Sequence, residues 1–330
     1  MLLRETVNNA LAHRDYAIDR QVILAIKPGK HIAIQNPGTF RPQLLIQAPD
    51  HPIPLYRILP EAKPRNPNLA DVLRVFRKWE GRGIGMATLV DLCLQNQMDV
   101  PFYRLLSDEV RLHVCAGRLL DERMERLFQS FDDYIERKLG GSQLTQEQKR
   151  VLSYLIKSEW HNQKLGYTIL LTADNNHFGA ILDLERTGLI EKHPEGKINY
   201  PVYVVDRVLV GHGYAAELRH ILGATFDGLP PFSKQILGVV YRFGKYSKRK
   251  AVSAKQASYV LWYDEDEPGG VAEFDTHYRR VRRTFNKLEK FGYVKRDAPK
   301  RGGYLLNYEY RADHPLTASA STPICGDSYS

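Results

Sequence analysis

The sequence predicts a multi-domain α/β protein, and three observations carry that prediction. Residues 1–116 alternate short apolar runs with amphipathic stretches at helical spacing, the pattern of mixed strand and helix. Gly140-Gly141-Ser142 then breaks the chain after a charged amphipathic stretch. Residues 143–210 and 228–311 follow with one shared plan. Each opens with a helix, passes a middle helical region, and ends a later helix at a glycine followed by an apolar pair, a turn and a strand.

The elements follow in order. Residues 3–13 read as a helix. Gln21–Ile26 and His31–Gln35 are two apolar runs around Pro28-Gly29, which predicts an antiparallel hairpin. Residues 37–67 carry eight prolines, so a long helix or central strand is not expected there, and the segment reads as a loop. Asn68–Trp79 is helical, with Leu69, Val72, Leu73 and Phe76 on one face. Gly81–Gly85 is a turn, Met86–Gln97 a helix and Glu109–Cys115 a strand. Residues 117–139 predict one connecting helix, with a dimer-forming helix as the alternative. The later helices are expected to stop at Gly188 and Gly292. The resulting segments are 1–116, a connector 117–142, 143–210, a linker 211–227, 228–311, and a disordered tail 312–330.

At 330 residues the chain has room for two or three domains of roughly 100–200 residues each. No run of eighteen apolar residues exists, so no membrane partner is expected. Met1-Leu2-Leu3-Arg4-Glu5 lacks a signal peptide's apolar core, and Cys93, Cys115 and Cys325 lie far apart without metal or disulfide spacing. Both points fit a reducing cytoplasm. The formal net charge is +9. Residues 231–311 hold 18 Lys and Arg against 9 Asp and Glu, so that segment carries the whole excess. Such a basic segment suggests a nucleic-acid partner, against the plainer reading of a solvated surface.

Arg4-Glu5-Thr6-Val7-Asn8-Asn9-Ala10-Leu11-Ala12-His13-Arg14-Asp15-Tyr16 is the most specific stretch. Glu5, Asn9 and His13 fall four residues apart on one helix face, with Leu3, Val7, Ala10 and Leu11 expected to bury on the other. A carboxylate can orient a water, and an amide oxygen can ligate a hard cation. Downstream, Asn36-Pro37-Gly38 follows a strand, Arg65-Asn66-Pro67-Asn68 closes the proline-rich segment, and Gly81-Arg82-Gly83-Ile84-Gly85 precedes a helix. Glycines there permit a tight turn, and the helix start presents free N–H groups to phosphate.

Taken together, these strings resemble the GHKL ATPases, and the H-R-D-Y, N-P-G and R-N-P strings resemble their RecG-like branch. That module is often joined to a Schlafen-type AlbA domain in transcriptional regulators. The resemblance implies a GHKL-like α/β sandwich over 1–116 that binds ATP and Mg²⁺. It implies Glu5 as general base, Asn9 as Mg²⁺ ligand, and His13, Asn36, Gly38, Gly81, Arg82, Gly83 and Gly85 as nucleotide contacts. Residues 39–67 fall where that family keeps a nucleotide lid. The chain begins almost on the Glu5 helix, so two readings stay open: a working site, or an incomplete remnant that keeps the fold. Hydrolysis is the less expected outcome. No G-x-x-x-x-G-K-[ST] loop and no G-x-S-x-G elbow is present, and His161, His177 and His193 lack metal spacing.

The second specific stretch is Phe274–Leu288. Asp275 or Thr276 is expected to cap a helix whose apolar stripe is Tyr278, Val281, Phe285 and Leu288. Arg279, Arg282, Arg283, Asn286 and Lys287 gather on the other side, and arginine pairs bidentately with guanine edges or phosphate. Lys248, Arg249 and Lys250 form a basic loop, and Lys300 and Arg301 sit in the last turn, placed to touch backbone phosphate. The endings of both repeats resemble winged-helix domains, which implies two of them after the first module, bound to double-stranded DNA. In the first copy Asn175, Asn176, His177 and Arg186 are less basic. Asp264–Glu267 reads as a solvated loop. The expected function is ATP-sensing DNA binding in transcriptional control. The alternatives are a DNA-stimulated ATPase in defence or repair, a replication-initiator-type binder, and a dimerisation adaptor. A homodimer is compatible with all four.

Overall fold

The structure is a computed structural model that describes residues 2–50, 54–60, 64–75, 85–171, 177–211, 213–261, 271–298 and 302–310. The chain folds as two units of mixed α/β character. The first comprises the described residues of 1–124 and 141–206, and the second comprises residues 125–140 together with the described residues from 207 to 310.

The first unit is built on one seven-stranded sheet. Its strands are β1 (Ile23–Lys27), β2 (His31–Pro37), β3 (Leu45–Ala48), β4 (Leu55–Ile58), β5 (Phe102–Leu105), β6 (Glu109–Cys115) and β7 (Tyr167–Ile169), in the order β1-β2-β6-β5-β7-β4-β3. Every pairing is antiparallel except β4 with β7, where Arg57 faces Thr168. The β1–β2 hairpin turns at Gly29, whose φ of 72° is a backbone state glycine tolerates without strain. Helices α2 (Pro67–Val75) and α3 (Gly85–Asn96) each pack against α1 (Leu2–His13), and α1 lies on β2. After α4 (Glu122–Ser130) and α5 (Asp132–Lys138), α6 (Gln146–Asn162) packs on α3, β4 and β7. A reciprocal cap starts α6: Thr145 Oγ1 accepts from the Gln148 N–H at 3.2 Å, and Gln148 Oε1 accepts from the Thr145 N–H at 3.0 Å. Next come α7 (Phe178–Arg186) and the hairpin of β8 (Ile190–Lys192) and β9 (Tyr203–Val205).

Three expectations are corrected here. The proline-rich segment holds two strands rather than a loop alone, and β4 lies inside the sheet. Pro54 and Pro60 flank that fully buried four-residue strand, so no ladder hydrogen bond is lost to them. Residues 143–206 do not stand apart from 1–116. β7 fills the place between β5 and β4, and Val202 and Val204 share a buried cluster with Leu44, Ile46, Leu55 and Leu59. The connector is two helices, because Phe131 at φ −123°, ψ 23° interrupts the helical run.

The second unit contains most of α4, α5, α8 (Arg207–Val210), α9 (Ala215–Leu222), α10 (Pro231–Tyr246), α11 (Ala254–Leu261), α12 (Val271–Lys290) and a hairpin of β10 (Val294–Arg296) and β11 (Tyr304–Leu306). A bridge between Val252 and Tyr304 adds a third rung to the hairpin. Helices α10, α11 and α12 surround a core that includes Ile236, Val240, Phe243, Ala257, Val281 and Phe285. The expected linker 211–227 is part of this unit: α9 and the turn after it bury Leu218, Leu222 and Phe226. Asp275 and Thr276 lie inside α12 rather than at its start. Asp264–Glu267 and the tail from 311 lie outside the described residues.

Candidate functional site

The first unit carries a cleft between α1, α3 and the strands β2, β5 and β6. Thr6, Asn9, Ala10 and His13 line it from α1, at the spacing that puts residues on one helix face. Ala10 therefore shares the Asn9 side rather than the opposite one, and Leu3 is exposed. From the sheet come Ile34, Asn36, Pro37 and Gly38 of the β2 end, Tyr103 of β5, and Val110 and Leu112 of β6. Met86 and Leu89 come from α3. The floor is apolar, and the polar groups Asn9, His13, Asn36, Arg41 and Arg65 stand around it. That composition suits a ligand with one flat apolar part and one polar part.

Three of the sequence strings interlock at the cleft wall. Arg65 forms an ion pair with Asp15 and donates to the Thr39 carbonyl at 2.9 Å. The Asp15 N–H donates to Pro37 O at 2.8 Å. Gly38 has φ +122°, and a Cβ there would sit 3.1 Å from Asp15 Cβ, so the position admits glycine alone without strain. Asn66 then closes α1. Its side chain donates to Ala12 O at 3.1 Å and Arg14 O at 2.7 Å, and its backbone N–H reaches Ala12 O at 3.0 Å. The last carbonyls of a helix need such donors. Asp15, Gly38 and Arg65-Asn66 are thus one tertiary unit that fixes Asn9 and His13 in the cleft.

Burial pushes the His13 imidazole below its usual range, and Arg41 and Arg65 push it the same way. His13 is therefore neutral near pH 7 and can accept a hydrogen bond. Asn36 Oδ1 is a buried acceptor without a partner. Leaving such an atom unsatisfied costs about 1–3 kcal/mol. Among the described residues no group of three His, Cys, Asp or Glu side chains could hold a metal by itself.

Of the other predicted cleft residues, Gly85 opens α3. The Glu5 side chain and Gly81, Arg82 and Gly83 lie outside the described residues. Sequence reasoning missed Arg41 as a site residue, and no local pattern marks it. The R-N-P string did mark Arg65.

On α12, Val281, Phe285 and Leu288 are buried, while Arg279, Arg282, Arg283, Asn286 and Lys287 are exposed along the outward side. Asn286 Oδ1 accepts from the Tyr304 hydroxyl at 3.4 Å, and Arg280 stacks over Phe232 at 4.1 Å. Lys248, Arg249 and Lys250 are exposed between α10 and α11, with Lys248 3.8 Å from Asp133. Lys300 and Arg301 lie outside the described residues, as do Asn175 and Asn176. The counterpart helix α7 lacks a basic face. It exposes Phe178 and Leu182, its Arg186 is held by Asp183 at 2.8 Å, and His177 is buried against Glu147 at 3.2 Å.

No family model matches the chain, and neither the curated proteins nor the solved structures yield a match. Among the described residues no helix is long and apolar enough to cross a membrane.

Proposed function

We propose that this chain is a nucleotide-responsive DNA-binding regulator. In this reading its first unit carries a GHKL-like ATP module of the RecG-like branch, and its second a winged helix. The observation that carries the nucleotide half is the unsatisfied Asn36 Oδ1 in an apolar cleft beside Asn9 and two arginines. Asn36 would accept from the base amine, and Asn9 would offer its amide oxygen to Mg²⁺. Arg41 and Arg65 would supply positive charge against phosphate. Bound ATP would contribute a free energy that differs between nucleotide states, which is the quantity a regulator transmits.

The DNA half rests on the order α10, Val252 rung, α11, α12, β10, β11, which is that of a winged helix, and on the exposed arginines of α12. The first repeat is not proposed as a reader, because its first strand belongs to the large sheet and the one cation of α7, Arg186, is paired with Asp183. Titration calorimetry with Mg²⁺-ATP tests the reading. Wild type should bind, and Asn9→Ala should lose about tenfold or more in affinity, near the effect of removing one hydrogen bond to a charged group. DNA affinity should then change when nucleotide is added. Absence of heat in both proteins would refute the nucleotide half, and equal DNA affinity with and without nucleotide would refute the coupling.

A further inference from the structure

The two edges of the seven-stranded sheet differ. At one edge β3 is protected: Ile46 is buried in a cluster with Val202 and Val204, and Gln47 Nε2 donates to the Tyr167 hydroxyl at 2.9 Å. At the other edge β1 pairs with β2 on one side and, among the described residues, with no strand on the other. All five β1 residues are exposed, and Ile23, Leu24 and Ile26 keep 50%, 41% and 58% of their surface in solvent. Edge strands usually carry a proline, a bulge or inward charges that prevent pairing. Ile23-Leu24-Ala25-Ile26-Lys27 has a single charge, at its end, and neither a proline nor a bulge in its register with β2.

We propose that β1 is the docking edge for a second copy of this chain, paired antiparallel with its own counterpart about a two-fold axis at Ala25. The strand's own sequence selects that occupant. In this register Leu24 faces Ile26 of the second copy and Ile26 faces its Leu24, so four exposed apolar side chains cover one another on one side of the sheet. Ala25 faces Ala25, and Ile23 lies against the aliphatic stem of Lys27. The two lysines end at opposite ends of the pair, about 13 Å apart at the usual rise per residue. Parallel pairing would put Lys27 beside Lys27, which is unfavourable. A two-fold axis also joins the outer edges of the two strands with one set of hydrogen bonds. The contact is short, so the dimer is of the weak, concentration-dependent kind. This inference is independent of the nucleotide and DNA readings.

Sedimentation velocity over a concentration series and a cysteine cross-link test it together. Residues directly opposite in an antiparallel pair have Cα atoms about 4.5–5.5 Å apart, within disulfide reach. Cys93 and Cys115 are buried, so Ala25→Cys in a Cys325→Ser background isolates the contact. Mild oxidation should give a covalent dimer about tenfold or more faster than Ile198→Cys at the solvent-exposed β8–β9 turn, because pairing raises the local thiol concentration. Wild type should shift from monomer toward dimer mass with concentration. Leu24→Lys/Ile26→Lys should stay monomeric with an unchanged circular dichroism spectrum. Monomer mass throughout would overturn the proposal. So would a dimer in which Ala25→Cys reacts no faster than Ile198→Cys. Should the lysine variant not fold, the cross-link alone decides.

Discussion

At the level of single residues, Glu159 is the most consequential group outside the cleft. It is fully buried on α6, and its Oε1 accepts from the Val205 N–H at 2.7 Å. Nearby, Arg57 of β4 donates to Asn162, whose own amide donates to Tyr56 O at 2.9 Å and Gly166 O at 2.6 Å. Burial pushes Glu159 up to about 7, against the pull of Val205 and Arg57, and draws Arg57 down to about 10. Glu159 therefore titrates higher in the folded chain than in the unfolded one. Its contribution to stability is full at acid pH and is lost as pH rises through about 7. Glu159→Gln should remove this dependence. The wild-type-minus-variant difference in unfolding free energy should change by about 3 kcal/mol between about pH 4, below the unfolded carboxyl range, and about pH 8. Denaturant titrations at several pH values would show it, and a flat difference would refute it. His113 and His161, both drawn down to about 4 by burial, act with the opposite sign. Their contribution is present above the usual histidine range and lost as pH falls toward 4, and both variants share it.

At the level of elements, the end of α1 decides whether Asn9 and His13 point into the cleft. Asn66→Ala removes two side-chain donors from the last turn of α1 and should cost about 1–3 kcal/mol. A lower urea midpoint with an unchanged slope, together with weaker ATP binding, is the expected result. An unchanged midpoint would mean that the ion pair of Arg65 with Asp15 holds the helix by itself. The α12 stripe and the β1–β2 hairpin were legible in the sequence because periodicity and a Pro-Gly turn are local signals. Asn9, His13, Asn36 and Gly38 were legible because their strings are short and ordered. β4 was not, since proline density hides a four-residue strand that the prolines only flank. β7 was not, since three residues become a strand only when β4 and β5 arrive from far earlier in the chain. Arg41 reaches the cleft by tertiary placement alone. Val72, expected on the buried face of α2, is exposed, and the buried contact falls to Ala70.

At the level of the whole molecule, charge is segregated. The excess of +9 sits in residues 231–311, and α12 exposes its share of it. A duplex bound there would release counterions in proportion to the phosphates neutralised. Arg282→Ala/Arg283→Ala should lower the slope of log affinity against log salt by about 2 and weaken binding to all duplexes alike, unless one arginine reads a base. Fluorescence anisotropy at several salt concentrations would separate those outcomes, and an unchanged slope would exclude α12 as the contact.

The position of β7 also fixes the timing of biosynthesis. Residues 1–116 carry every predicted cleft residue, yet their sheet has a vacant place between β5 and β4 until residues 167–169 leave the ribosome. At roughly 5–20 residues per second, that wait is on the order of 3–10 s. Through that interval β5 and β4 each lack a partner on one side, in addition to the edge strand β1. The nascent chain is then most open to wrong pairing, and slower elongation between residues 117 and 169 would lengthen the exposure.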